Sequence, residues 1–458
     1  MSMPLTSPPR QATPSPSREA RTAPRWRIEW RFSSSVEIGL IVLGLVINFT
    51  MAPHNLGGDG EVRFHALSLL LQRGILDNSK YSLTGPLFSA PLWFLGTVWQ
   101  SSIWWVSRFN FFVFAIGLLA MYLLLRDRID RKLLHAFLLL LVAASLFPNQ
   151  LDYYYGEVFT AVFVAVGTLA IVFGPSLLGW ITVIVGVANT PAALLGMGLM
   201  VLLRILHQWR VRSALALVAV IGIIGVENTV RRGGPLNSGY EAGFGYPIFF
   251  GLLSILFAFG KGLIFFTPGL FLPVKSRLLA QTGMAGRQLY TVYMLWIALV
   301  IGLVLLYSDW WAWFGGYFWG PRFFLFASLP ASLVLAVRLR SPGNHLAGNL
   351  LTLVALALSS WVAISGVVFD MGGTLACTTG YEKLISLCAY TPQFSGLWRA
   401  LAVPLPFGKR SAAVAGYCVV VFLYLAWPLL QTMASQVHAL WQDLTSAEGV
   451  RRLWRMRF

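Results

Sequence analysis

The sequence predicts an all-α polytopic membrane protein, and three observations carry that prediction. Of its 458 residues, 57% are hydrophobic and 11% charged, with a mean hydropathy of +0.70, more apolar matter than one water-soluble core uses. The apolar residues are gathered in runs, and a helix needs only about 20 of them to cross the hydrocarbon. Clusters of Lys and Arg recur after alternate runs, as the positive-inside rule requires of a chain threaded back and forth through a bilayer.

In chain order, residues 1–33 come first, a stretch rich in Pro, Ser, Thr and Arg that is too long and too Pro-rich for a signal-peptide n-region. They read as a disordered, basic cytosolic tail. Residues 34–432 form the membrane domain, with spans expected at 35–52, 105–125, 133–150, 157–173, 178–190, 192–209, 212–229, 263–274, 289–308, 323–339, 347–368 and 411–432, about twelve in all. An even number leaves both termini inside, and residues 433–458 read as a basic cytosolic C-terminal tail. Most of the 34 Lys and Arg residues then lie inside, in RDRIDRK from Arg126, RILHQWRVR from Arg204, KSR from Lys275, RLR from Arg338 and the two tails. The net charge of +17 is therefore read as orienting the chain in the cytoplasmic membrane, with no nucleic-acid partner.

Between the spans, the outer segments are residues 53–104, 151–156, 227–262, 309–322 and 370–410. The first contains GPLFSAPLWFLGTVWQSSIWW, whose prolines and tryptophans suit amphipathic helices lying along the headgroup boundary. Reading Pro86–Trp99 as a span instead would put RDRIDRK outside. Of three cysteines, Cys377 and Cys388 share the last outer segment and can pair in an oxidising compartment, while Cys418 reads as a small buried residue. No Cys/His cluster has zinc spacing.

The ionisable residues gather on the outer face. Behind the first span, NLGGDGEVRFHAL sets Asp59 between two glycines in a turn and then begins a short helix, on which Glu61 and His65 share a face and Arg63 points elsewhere. As a helix cap Asp59 is unremarkable; its company makes it a candidate base. LDYYYGE places Asp152 and Glu157 around Tyr153 and Tyr154, at a depth where carboxylates usually face a cavity, although an interfacial aromatic belt accounts for the same residues. Lys261, alone between glycines in FAFGKGLIFF, either binds an anion or snorkels to the headgroups. Arg322, at the end of SDWWAWFGGYFWGPRFF, either clamps a phosphate or stacks on tryptophan. Together these groups suit a sugar carried on a lipid phosphate. Lys261 and Arg322 neutralise the leaving phosphate, Asp59 takes the acceptor's proton, and Tyr153, Tyr154 and Trp319 can stack on sugar.

The same order of features, an acid soon after the first span, interfacial helices, a second acid before the fourth span, then GKG and WGGYFWGPRFF, resembles the GT-C superfamily of integral-membrane glycosyltransferases. That group includes protein mannosyltransferases and lipid A aminoarabinose transferases, and the resemblance runs from about Ser35 to Met433. It implies a GT-C-like bundle and a polyprenyl-phosphate-linked donor. It also implies a glycan, lipid or protein acceptor and an active site on the extracytoplasmic side. On this chain the family's catalytic acid maps to Asp59, with Glu61 as a supplement because Gly60 interrupts the adjacent acidic pair of several relatives. Asp152 resembles the second acid, Lys261 and Arg322 would be phosphate contacts, and Arg63, His65 and Glu157 complete the expected substrate set. Some relatives bind a divalent cation such as Mg or Mn, which Asp59 and Asp152 would hold here. The competing reading is a transporter or flippase of lipid-linked sugar, for which inverted repeats and midplane charges are the usual marks; inspection finds neither.

Overall fold

The computed structural model describes residues 34–240, 243–280, 284–316, 318–369, 385–404 and 407–445. Among these, seven helices are long and apolar enough to cross a membrane, and four shorter apolar helices accompany them. No strand is present among the described residues, only two isolated bridges. The first helix, α1 (Ser34–Met51), leads to an end of the bundle that also receives α2 (Gly58–Arg73), α3 (Thr84–Phe88), α4 (Ala90–Val98) and α5 (Ser102–Val106). At 1.5 Å per residue, α4 reaches only about 14 Å, half the hydrocarbon thickness. The segment 84–98 is thus broken into pieces too short to span, whereas Ser102 opens a candidate span that runs on to Leu125.

From there α6 (Phe109–Leu125) crosses away, and α7 (Arg131–Ala143) returns after an Asp130 cap that accepts from Leu133 N at 2.9 Å. The single turn α8 (Phe147–Gln150) follows. Next come α9 (Gly156–Phe173), α10 (Ser176–Asn189), α11 (Leu194–Gln208) and α12 (Ala214–Arg232). Helices α9 and α10 touch through Gly167 and Gly179, where a Cβ on either would come within 2.7 Å of the other's carbonyl. Close backbone approach over small residues replaces the hydrophobic driving force that lipid does not supply.

The eighth expected span, 263–274, departs from an ordinary helix. Helix α13 (Ile248–Phe257) precedes it, and the stretch itself is one turn, α14 (Leu263–Phe266), a 3-10 turn at Pro268–Phe271 and extended chain. As an α-helix its dozen residues would cover about 18 Å; unwound, they run the length of the neighbouring helix. Such backbone is tolerated at membrane depth only inside protein, and here Gly269 lies against Ala331 while Pro273 O accepts from Arg338 Nη1 at 2.9 Å.

After α15 (Lys275–Leu279), α16 (Met284–Ser308) climbs back, α17 (Ser328–Arg340) descends and α18 (Leu346–Val368) returns. The Arg322–Arg340 span is 94% buried and the Val211–Arg232 span 22%, so α17 is the central post and α12 stands at the rim. The last helix, Lys409–Thr445, passes through Pro428 and runs beyond residue 432, where the C-terminal tail was expected to begin. Cys377 lies outside the described residues, as do residues 1–33 and residues 370–384 and 405–406 of the last outer segment; Cys388 and Cys418 are buried. At the end away from α2, Glu37 on α1 accepts from His135 Nδ1 on α7 at 2.7 Å and from the Tyr424 hydroxyl on the last helix at 2.9 Å.

Candidate active site

The bundle end that gathers α2 to α5 encloses a cavity of about 880 Å³. The start of α9, the 3-10 turn before α11 and the ends of α10, α12 and α16 open into it, together with residues 80–82, 238–240, 244, 310–312, 316 and 318. Among its described lining residues are three carboxylates, Asp59, Glu157 and Glu227, and four cations, Arg63, Lys80, Arg232 and Arg322. Aromatic rings from Tyr81, Tyr240, Phe244, Tyr307, Trp310, Trp311, Phe318 and Phe323 make up much of the remaining wall.

Asp59 is not the helix cap that the glycine turn suggested. The N-cap is Gly57, at φ 66°, and Asp59 is the second residue of α2. A side chain at residue 57 would meet the Tyr155 hydroxyl at 2.6 Å, so only glycine lets the chain turn there. Within the first turn the helix dipole favours a carboxylate. Asp59 Oδ2 accepts from Arg322 Nη2 at 2.6 Å, and Tyr81 lines the cavity with it. Burial pushes the carboxyl up, but the Arg322 charge, the Tyr81 hydroxyl and the hydrogen bond from Arg322 outweigh it, so Asp59 titrates below an ordinary aspartate. Burial and the neighbouring Asp59 charge push the Tyr81 phenol well above its usual range.

Arg322 is the hub of the site. Its Nε donates to Gly315 O at 2.8 Å and stands 3.8 Å from Glu157 Oε1, while its guanidinium lies over Phe318 at 4.3 Å and Tyr155 at 4.9 Å. The remaining nitrogen, Nη1, is buried and has no hydrogen-bond partner among the described residues. Arg63, one helical turn after Asp59 on α2, reaches the same wall over the Tyr81 ring at 4.9 Å. It fits because residue 156 is glycine, where a Cβ would stand 2.7 Å from its Nη2.

Several expected site residues are elsewhere. Glu61 and His65 share the opposite face of α2 and are exposed. Asp152 is buried outside the cavity lining, and its carbonyl accepts from Asn55 N at 2.7 Å; the second acid at the cavity is Glu157. Lys261 is buried and donates to the carbonyls of Gly316, Phe318 and Gly320. It braces the loop that delivers Arg322 and does not line the cavity. Tyr153 is stacked on Tyr155 with ring centroids 5.1 Å apart, and the Tyr154 hydroxyl bonds Ser89 Oγ at 2.7 Å. Trp319 is 1% exposed and points to Ser365. These three aromatic residues are packing, and the rings open to a ligand come from other loops.

For a divalent cation the fit is poor. Among the described residues no group of three or more His, Cys, Asp or Glu side chains stands together. Asp59 already carries a guanidinium at 2.6 Å, a like charge for any incoming cation.

No protein-family profile matches the sequence, and neither does a curated protein. The structure is similar to the crystal structure of ArnT from Cupriavidus metallidurans bound to undecaprenyl phosphate, with a TM-score of 0.51 over 90% of this chain and 80% of that one, at 12% identity. The likeness is one of fold, consistent with the helical membrane bundle expected from the sequence.

Proposed function

We propose that this chain, with its ArnT-like fold, is a membrane glycosyltransferase that moves a sugar from a polyprenyl-phosphate-linked donor to an acceptor hydroxyl. The observation that supports it most is Arg322, a cation in the cavity wall held between Asp59 and Glu157. A phosphate oxygen is the acceptor that a guanidinium fits best. Lys80, above the rings of Tyr81 and Tyr240, takes the second phosphate contact that the sequence had suggested for Lys261.

In this reading the acceptor oxygen attacks the anomeric carbon while the bond from that carbon to the phosphate oxygen breaks. The acceptor's proton passes to Asp59, and the polyprenyl phosphate leaves with the bonding electrons, its charge met by Arg322 and Lys80. One base and one displacement invert the anomeric centre. The apolar lining from Ile224, Leu306 and Phe244 suits the first units of the lipid chain, and the open rings of Tyr240 and Trp311 suit a sugar face.

The cavity end is extracytoplasmic and the termini cytosolic in this proposal. Its support is charge: Arg126, Arg204, Lys275 and Arg338 fall at the helix ends away from the cavity. The test is to incubate the purified protein with a panel of polyprenyl-phosphate sugars and follow donor and products by mass spectrometry. Release of free polyprenyl phosphate together with a glycosylated acceptor is expected. Movement of labelled lipid across vesicles with no glycosidic bond formed would replace transfer by transport.

A further inference from the structure

The C-terminal end of α12 reads ENTVRR, residues 227–232; Glu227 and Arg232 line the cavity, and the hydrogen bonds of the charged side chains have one main destination. They are spent on the loop Asp77–Leu83, about 150 residues earlier in the chain. Arg231 donates from Nε to Asp77 O at 2.8 Å, from Nη1 to Tyr81 O at 2.7 Å and from Nη2 to the Ser79 hydroxyl at 3.2 Å. Arg232 Nε donates to Ser79 O at 3.0 Å. Glu227 completes the set, accepting from Ser82 Oγ at 2.7 Å, from Leu83 N at 2.8 Å and from Arg231 Nη1 at 2.5 Å. Alternate carbonyls of the loop are therefore held by one helix end, and a loop so held keeps one conformation. Gly239, at φ 77°, packs over the same place, where a Cβ would lie 2.9 Å from Lys80 Cα and 3.1 Å from Arg232 Nε.

What the loop carries is Tyr81, which lines the cavity with Asp59 and lies under the Arg63 guanidinium, and Lys80 beside it. We propose that Glu227, Arg231 and Arg232 are positioning residues that fasten the loop Asp77–Leu83 to the end of α12 so that Tyr81 is held against the carboxylate of Asp59. This rests on the glycosyltransferase reading for its kinetic consequence and on geometry alone for the fastening. The side chains do not touch the reacting atoms. They act through Tyr81, which faces Asp59 as do Arg322, Arg63 and Tyr240. Tyr81 in turn faces Tyr240 and Arg322 as well as Asp59.

A merely structural role would lower activity evenly at every pH, whereas a positioning role changes the titration of the base. Tyr81→Phe removes the hydroxyl that helps keep Asp59 ionised, so the acid limb of kcat/KM is expected to rise by about one pH unit. Arg231→Gln is expected to give the same rise, and the double variant no more than either alone, because both remove one contact. The milder Glu227→Gln is expected to give part of the shift. In parallel, hydrogen exchange on the wild type and the Glu227→Gln and Arg231→Gln variants should show faster exchange at residues 77–83 with α16 unchanged. An even loss of rate without a shifted limb, shifts that add in the double variant, or a loop whose exchange stays as slow as in the wild type overturns the proposal. If the wild type transfers no sugar, the glycosyltransferase reading falls and the exchange result still decides the fastening.

Discussion

Replacing Asp59 by Asn separates the carboxylate's chemistry from its place in the fold. The side chain is 24% exposed and its Oδ2 is 2.6 Å from Arg322 Nη2, a charge-assisted hydrogen bond of the kind that contributes about 1.5–3 kcal/mol. An amide keeps the shape and still accepts a hydrogen bond through its oxygen. Arg322 also keeps Gly315 O at 2.8 Å and Glu157 at 3.8 Å, so it is not left wholly uncompensated. The stability cost is therefore expected at the low end, about 1–2 kcal/mol. The chemical cost is larger: an amide cannot take the acceptor's proton, and loss of a positioned base lowers kcat by about 10²–10⁴-fold. The assay is transfer from the donor identified in the substrate panel, with thermal unfolding of the same preparation as the control for folding. A variant that unfolds within a few degrees of the wild type and transfers within tenfold of its rate refutes Asp59 as the base.

The remaining predictions follow from the same geometry. Because the free protein holds the Asp59 carboxyl below an ordinary aspartate, the midpoint of the acid limb of kcat/KM should lie at lower pH than an ordinary aspartate would give. A bound phosphate draws on Arg322 and adds negative charge, so the acid limb of kcat should lie at higher pH than that of kcat/KM; the reverse order counts against a phosphate at Arg322. By linkage, a carboxyl depressed in the folded state stabilises above its unfolded pKa, and that contribution disappears as pH falls through the folded value. Glu61→Gln and His65→Ala, on the exposed face of α2, should transfer within about twofold of the wild type, as surface substitutions do; a hundredfold loss in either would place that face of the helix in the site. Glu37→Ala leaves His135 and Tyr424 without their buried partner and should cost about 3–5 kcal/mol, read as a lower unfolding temperature. An unchanged temperature would show that the three-helix contact contributes nothing.

Part of the site was legible in the residues and part was not, for reasons that can be named. Asp59 and Arg63 are four apart and share a face of α2, a spacing open to inspection, yet the more conspicuous pair Glu61 and His65 has the same spacing on the side facing away. Asp152 and Glu157 flank the same three tyrosines, and the choice between them depends on the turn after α8, which buries the first and leaves the second in the opening turn of α9. Lys261 drew attention as a lone intramembrane cation, but three backbone carbonyls satisfy it. Conversely, no local signal singles out the i, i+4 pair Glu227 and Arg231, whose partner is the distant loop Asp77–Leu83.

By itself the sequence determined the class of molecule: a helical bundle threaded through a membrane, with interfacial helices after the first span and its basic residues after alternate spans. Hydropathy and charge are sums over neighbouring residues, so they can be read without knowing what folds against what. Only the tertiary structure decided which polar groups meet. The bond between Arg322 and Asp59 joins residues 263 apart, and the fastening of Tyr81 joins residues 150 apart. Contacts at such separations depend on the order in which the helices pack and on a few glycines that let backbones approach, and no local pattern encodes that order.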